Sequence, residues 1–169
     1  PAPTAPDLFV HFELIPDQLP ERLKTLIAQF PPGVLQFEIG IQSFNPEVQQ
    51  RISRRQDHAK TLANLGWLVT QSQAHLHTDL IFGLPGETLE SFLAGLDALL
   101  DLGQHDGVTI FLCLLLENTE LAMPESRQAH GIESAPLRAI LSHGTPEPGA
   151  VEEIQETVIG TRRMPRADL

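Results

Sequence analysis

The sequence predicts an α/β fold of parallel strands covered by helices, a partial TIM-like (β/α) barrel. Three observations predict it. Strand-like and helix-like periodicities alternate along the first two thirds of the chain in the order β-α-β-α-β-α-β, which implies parallel strands joined by right-handed crossovers. Three of the strands carry one apolar and one polar face, whereas central strands of a doubly wound sheet are apolar on both. The polar faces also fall on successive strands, as expected where helices cover the outside and polar side chains line a lumen that holds a polar ligand. The alternative, a sheet with one solvated face, is uncommon for parallel strands.

The elements follow in order. Leu8 to Ile15 (LFVHFELI) reads as the first strand, with Phe12 and Leu14 opposing His11 and Glu13. Leu19, Leu23, Leu26, Ile27 and Phe30 then fall at helical spacing, with Pro20 suited to the first turn and Pro31-Pro32-Gly33 as the stop. Val34 to Ser43 (VLQFEIGIQS) alternates strictly, Leu35, Phe37, Ile39 and Ile41 against Gln36, Glu38, Gly40 and Gln42. A glycine at position 40 suits close approach of a ligand to the backbone. Asn45-Pro46-Glu47 opens a short helix to about Ser53: a capping side chain, a proline at the first position, and an acid near the positive helix end. A second helix follows with Ala59, Leu62, Leu65, Leu68 and Val69 as its apolar stripe, and Trp67 reads as core.

Ala74 to Gly83 (AHLHTDLIFG) is the next strand, Leu76, Thr78, Leu80 and Phe82 facing away from His75, His77 and Asp79. Leu84-Pro85-Gly86 breaks it. Thr88 is placed to cap an amphipathic helix bearing Leu89, Phe92, Leu93, Leu96, Leu99 and Leu100. Gly107 to Leu116 is a continuous apolar run, as expected of a strand buried on both faces. Beyond Asn118 the pattern weakens. Pro136 and the stretch from Gly144 to Gly149 read as loop, and Val151 to Ile159 as a last helix. The domain reading is therefore a barrel portion over 1–118 and a loop-rich extension over 119–169.

Composition bounds the function. A chain of 169 residues makes one domain of ordinary size, whereas a complete eight-unit barrel needs roughly 250 residues. About half a barrel leaves lateral strand edges exposed, and these predict either a homodimer through the edges or cover by a tail. The first residue is Pro1 rather than Met, which agrees with an excised piece of something longer. Apolar residues at 41% and charged residues at 20% exclude a disordered or fibrous chain. Eleven basic against 22 acidic residues give a net charge of -11, which excludes nucleic-acid binding through a general basic face. No apolar run approaches the ~20 residues of a membrane span, and no secretory signal pattern is present, so a cytoplasmic location is expected. The single cysteine, Cys113, rules out an internal disulfide and any multi-cysteine metal site built from this chain alone.

Glu38 to Asn45 (EIGIQSFN), then Arg51-Ile52-Ser53-Arg54, then His77 to Glu87 (HTDLIFGLPGE), resemble the radical S-adenosylmethionine (SAM) superfamily. The likeness is closest to radical SAM proteins with a cobalamin-binding domain and more distant to oxygen-independent coproporphyrinogen III oxidase. It runs from about Leu8 to Leu116 and more faintly from Gly131 to Ile154. The resemblance implies a fragment of a six-unit part-barrel. It also implies SAM and a [4Fe–4S] cluster as cofactors of the parent protein, which would cleave SAM reductively to a 5′-deoxyadenosyl radical that takes a hydrogen atom from a substrate, a small molecule or one the sequence does not identify. A cobalamin domain in the parent is suggested by the same likeness. The family holds its cluster with three cysteines in a CxxxCxxC loop, a motif this sequence lacks. Cys113 reads as a buried core thiol. The chain is thus expected to be the carboxyl-terminal half of the part-barrel, to supply SAM-positioning residues, and not to turn over alone.

Site residues carry over one by one. The acid of FELIP, Glu13, matches the family's SAM-contacting acid; the glutamine of GIQSF is Gln42, the arginine of R-I-S-R is Arg54, and the aspartate opening DLIFGLP is Asp79. Glu38, on the polar face between them, and Gly83, in the turn after the strand, complete the cofactor-binding set. The chemistry suits the ligand: carboxylates take an ammonium or ribose hydroxyls, a guanidinium forks onto the methionyl carboxylate, and Gln both donates and accepts. Loops at strand carboxyl ends are where ligands bind, and glycines there let the backbone approach closely. The plain alternatives are a solvated helix-end charge for Arg54 or Arg55, a surface acid for Glu13, and an ordinary strand-to-helix turn at Gly83. The tripeptide Glu117-Asn118-Thr119 departs from the family's usual glycine- or proline-containing turn, which leaves the substrate-side wall open.

Two rival readings rest on other features. His75 and His77 form an H-x-H pair beside Asp79, with His11 and Glu13 on a neighbouring strand, and such spacing can hold Zn²⁺ in a metal-dependent barrel hydrolase. Neutral imidazoles bonded to backbone in a polar lumen account for the same residues. The second rival is a non-catalytic assembly module.

Overall fold

The computed structural model describes residues 8–105, 107–138 and 154–169. The expected loop from Gly144 to Gly149 and the start of the expected last helix, 151–153, lie outside the described residues. The chain divides into two compact units, one of Pro1–Leu80 with Glu90–Phe111 and one of Ile81–Leu89 with Leu112–Leu169.

Strands β1 (Val10–Glu13), β2 (Leu35–Gln42), β3 (His75–Phe82) and β4 (Val108–Leu112) form one sheet in the order β1-β2-β3-β4. The pairs β1–β2 and β2–β3 are parallel. Helix α1 (Glu21–Ile27) crosses from β1 to β2; α2 (Pro46–Arg51) and α3 (His58–Gln71) cross from β2 to β3; α4 (Leu89–Asp101) crosses from β3 to β4. Sequential parallel pairing is what alternating strand and helix periods dictate, because each crossover helix returns the chain to the same end of the sheet.

Local chemistry sets the helix starts. Asn45 caps α2, its Oδ1 accepting from the backbone N–H of Glu47 at 3.0 Å and of Val48 at 3.4 Å, and Pro46 takes the first helical position. Asp57 caps α3 through the Lys60 N–H at 3.1 Å, and that bond holds the Asp57 carboxyl below its ordinary range. The apolar face of β2 is buried, with Ile39 and Ile41 fully so, and β3 buries Leu76, Thr78 and Leu80. Leu65 and Leu68 of α3 and Phe92 and Leu99 of α4 complete the core of the first unit. Each large side chain there contributes about 1.5–3 kcal/mol through burial.

Some expectations need correction. The first strand is shorter than Leu8 to Ile15, and Phe12 is 50% exposed, stacked against Phe37 at 6.2 Å between ring centroids. The last strand of the sheet is not buried on both faces: Ile110, Phe111 and Leu112 are 46, 52 and 47% exposed. It ends the strand order, so its apolar run marks an edge rather than the middle of the sheet. Leu93 and Leu100 of α4 are exposed, and Gly95 takes a buried place on that helix. Trp67 is only part-buried, with the Lys24 ammonium 5.6 Å from its ring.

In the second unit a 3₁₀ turn (Glu120–Ala122) and helix α5 (Pro124–His130) lead to an antiparallel ribbon of β5 (Glu133–Arg138) and β6 (Ile154–Gly160). Two readings are overturned here. Pro136 lies within β5, opposite Glu156, and the segment expected to end in a helix forms β6 from Ile154 onward. Val151, Ile154 and Val158 do fall at helical spacing, but pairing with β5 and a bridge from Thr157 to Leu114 decide the backbone. Arg127 clamps the ribbon: its Nη1 and Nη2 each donate to a Glu156 carboxylate oxygen at 2.6 Å, and the Ser134 hydroxyl donates to Oε1 at 2.6 Å. These donors pull the Glu156 carboxyl down to about 2.

Candidate functional site

Parallel register places the polar residues of β1, β2 and β3 in rows. His11, Gln36 and His75 form one row, Glu13, Glu38 and His77 the next, and Gly40 and Asp79 a third, nearer the strand carboxyl ends. In-register partners on parallel strands share a face, so these side chains occupy one side of the sheet. His11 bridges two rows, its Nε2 3.1 Å from Glu38 Oε2 and its Nδ1 3.1 Å from Gln36 Nε2.

The strand does not stay regular to its end. The register shifts between Gly40 and Gln42, and Gln42 takes φ 70°, a left-handed backbone that non-glycine residues seldom adopt. The Gly40 carbonyl turns to side chains: it accepts from Arg54 Nη2 at 2.6 Å and from Gln56 Nε2 at 3.1 Å. A Cβ at position 40 would lie 2.6 Å from Gln42 Nε2 and 3.2 Å from Arg54 Nη2. The chain's own amide and guanidinium thus crowd the side of Gly40 where a Cβ would project. The consequence is a cationic group and an amide seated above the Gly40–Asp79 row.

Asp79 is 7% exposed, and no side chain among the described residues donates to its carboxylate. Burial pushes its carboxyl above the ordinary range, the Glu38 carboxylate adds to this, and His77 pulls the other way. A largely buried acid to which no protein side chain donates is placed to accept a donor from a ligand. Glu13 and Glu38 are exposed. The structure thus brings five of the expected cofactor-binding residues, Glu13, Glu38, Gln42, Arg54 and Asp79, onto one face of the first unit. The sixth, Gly83, belongs to the second unit. It has φ 88°, which glycine alone adopts without strain, and a Cβ there would meet Leu169, Val158 and Cys113 at 3.3, 3.6 and 3.7 Å.

His75 and His77 contact each other edge to face at 4.9 Å between ring centroids. Among the described residues no group of three or more His, Cys, Asp or Glu side chains converges to hold a metal ion. Cys113 is 3% exposed, and burial pushes its thiol up to about 11.

Sequence reasoning did not single out Gln49 and Gln56. Gln49 is 3% exposed and donates through Nε2 to Ser43 O at 2.7 Å and to Gln56 Oε1 at 3.1 Å. Glutamine on a short surface helix carries no local signal of burial, so only the fold reveals this pair.

The model of the radical SAM superfamily matches residues 4–99. The chain belongs to the radical SAM superfamily. It is 32% identical over 129 residues to the cobalamin-dependent radical SAM methyltransferase TokK of Streptomyces tokunonensis, covering 76% of this chain and 19% of that protein. It is 36% identical over 89 residues to anaerobilin synthase of Escherichia coli O157:H7, covering 53% of this chain and 20% of the synthase. The solved structure of coproporphyrinogen III oxidase from Escherichia coli, itself a radical SAM enzyme, superposes with a TM-score of 0.51 at 29% identity, covering 62% of this chain and 24% of that one. The chain thus spans about a fifth of the length of these two curated relatives. The parallel β1–β4 sheet with its helices is a fragment of the radical SAM part-barrel, as the strand patterning predicts. Among the described residues no helix is long and apolar enough to cross a membrane.

Proposed function

We propose that this chain supplies the SAM-positioning face of a radical SAM enzyme. The observation that carries the reading is Asp79: a largely buried acid on the polar face, one row from Glu38 and beside the Gln42–Arg54 pair. Such a set fits a zwitterionic nucleoside. The Arg54 guanidinium suits the methionyl carboxylate, Gln42 accepts or donates beside it, and Asp79 and the glutamates suit ribose hydroxyls and the ammonium. Binding would give the Asp79 carboxylate a donor from the ligand and exclude water from the row above Gly40. SAM and a reduced cluster supply the radical chemistry when bound; the protein binds and orients.

The residues of this chain do not fit a [4Fe–4S] cluster. Its one cysteine is buried in the second unit with a thiol raised to about 11, and thiolate is the ligating form. Cluster ligands in this account come from outside the chain, and the isolated chain is expected to be inactive. The relation to a protein named as a cobalamin-dependent radical SAM methyltransferase supports a cobalamin-dependent parent. Equilibrium dialysis with radiolabelled SAM tests the positioning role. Saturable binding, displaced by S-adenosylhomocysteine and weakened about tenfold or more by Arg54→Met, is expected. Absence of saturable binding, or unchanged binding by Arg54→Met, would overturn the proposal.

A further inference from the structure

The Arg54 guanidinium is not placed by its own side chain alone. Its Nη2 and the Gln56 Nε2 share one acceptor, Gly40 O. The Gln56 Oε1 in turn accepts from Gln49 Nε2, which also donates to Ser43 O. An amide nitrogen only donates and an amide oxygen only accepts, so this chain of bonds fixes both glutamine orientations. It links α2 through Gln49, the loop between α2 and α3 through Arg54 and Gln56, and the end of β2 through Gly40 and Ser43. The Gly40 carbonyl sits at the register shift, and Gln42, two residues on, has the left-handed backbone. The same bonds therefore hold the bulge that aims Gln42 and the carbonyl that anchors Arg54.

We infer that Gln56, backed by Gln49, is a positioning residue for SAM that touches no part of the ligand and acts through Arg54 and the β2 bulge. The inference rests on the SAM-positioning reading above. Without Gln56 the tie from Gln49 of α2 to the Gly40 carbonyl is cut, and Arg54 keeps its bond to a carbonyl and a bulge held less firmly in place, which opposes binding.

The test is a double-mutant cycle on the full chain, read as SAM dissociation constants from equilibrium dialysis. Gln56→Met preserves the side chain's length and removes its hydrogen bonds; it should weaken SAM binding about tenfold, the effect of one lost part-buried polar contact. Gln56→Glu keeps the acceptor for Gln49 and removes the donor to Gly40, and should weaken binding to a similar degree. In an Arg54→Met background, Gln56→Met should change affinity by less than about twofold, because the two residues act as one. Equal weakening in both backgrounds would show that Gln56 does not act through Arg54 and would overturn the inference. So would unchanged affinity in a folded Gln56→Met protein, or loss of folding in both Gln56 variants, which would make its role purely structural. If the wild-type chain binds no SAM, the functional reading itself fails, a result distinct from these.

Discussion

Replacing Gly40 by alanine separates the site from the fold. The new Cβ would lie 2.6 Å from Gln42 Nε2, about 0.8 Å short of the 3.4 Å at which ordinary contact begins, and 3.2 Å from Arg54 Nη2. Both atoms are the far ends of flexible side chains, and no backbone atom stands within reach. Gln42 can rotate away at a cost of about 1 kcal/mol. Arg54 can lose its bond to Gly40 O at a similar cost. Reduced freedom of the unfolded chain returns about 0.4–1 kcal/mol. The net change in stability is about 1 kcal/mol, a shift in Tm of about 2–4 °C for a chain of this size. SAM binding is expected to fall about tenfold or more, since both displaced groups are ones proposed to hold it. Thermal unfolding by circular dichroism and dialysis against labelled SAM read the two quantities side by side. Full affinity in the folded Gly40→Ala protein would refute the placement of Gln42 and Arg54 in the site. A loss of more than about 3 kcal/mol would refute the claim that their displacement is local.

Other outcomes follow from the same geometry. Asp79→Asn should stabilise the chain at pH 7, because the folded state raises this carboxyl and so disfavours its charge; the gain should shrink as pH falls toward the ordinary value of 3.8, below which both states are protonated, as urea titrations across pH would show. A gain that grows toward low pH would contradict this. Glu156 behaves oppositely: its pKa falls from 4.5 to about 2, so the stability it adds is present above pH 4.5 and is lost as pH falls toward 2, and Glu156→Gln should flatten that part of the pH–stability curve. Gly107→Ala should destabilise the first unit by 2 kcal/mol or more, about the cost of a strained position, because φ is 74° and the Cβ would collide with Leu76 O; an unchanged Tm would refute it. Cys113 should resist iodoacetamide at pH 8 in the folded chain and react fully in guanidinium, its thiol being buried and raised to about 11.

The parts of the fold legible in the sequence were those whose pattern is local. Strict alternation over Leu35 to Gln42 gave β2, and the H-x-H-x-D alternation gave β3; because parallel register keeps faces aligned, the shared polar face followed from the two strands alone. Asn45-Pro46 and Asp57 marked their helix starts through side-chain chemistry that acts within three residues. The ribbon of β5 and β6 was illegible because its pairing spans a long connection, and the apolar spacing of Ile154 and Val158 fits a helix equally well. The burial of β4 was misread because an apolar run states what a strand avoids, not which neighbour covers it. Within the site, the residue types were readable, but the bulge at Gln42, the capture of Gly40 O by Arg54 and Gln56, and the buried Gln49 behind them arise only from tertiary contacts.

The central claim is that one face, from Glu38 to the bulge at Gln42 and across to Asp79, receives SAM. A ¹H–¹⁵N correlation spectrum of the labelled chain, titrated with SAM, tests it most directly. The account predicts saturable shifts concentrated at the amides of Gly40, Gln42, Arg54 and Asp79, with the ribbon of β5 and β6 unmoved. Shifts confined to that ribbon, or none at any concentration, would contradict it.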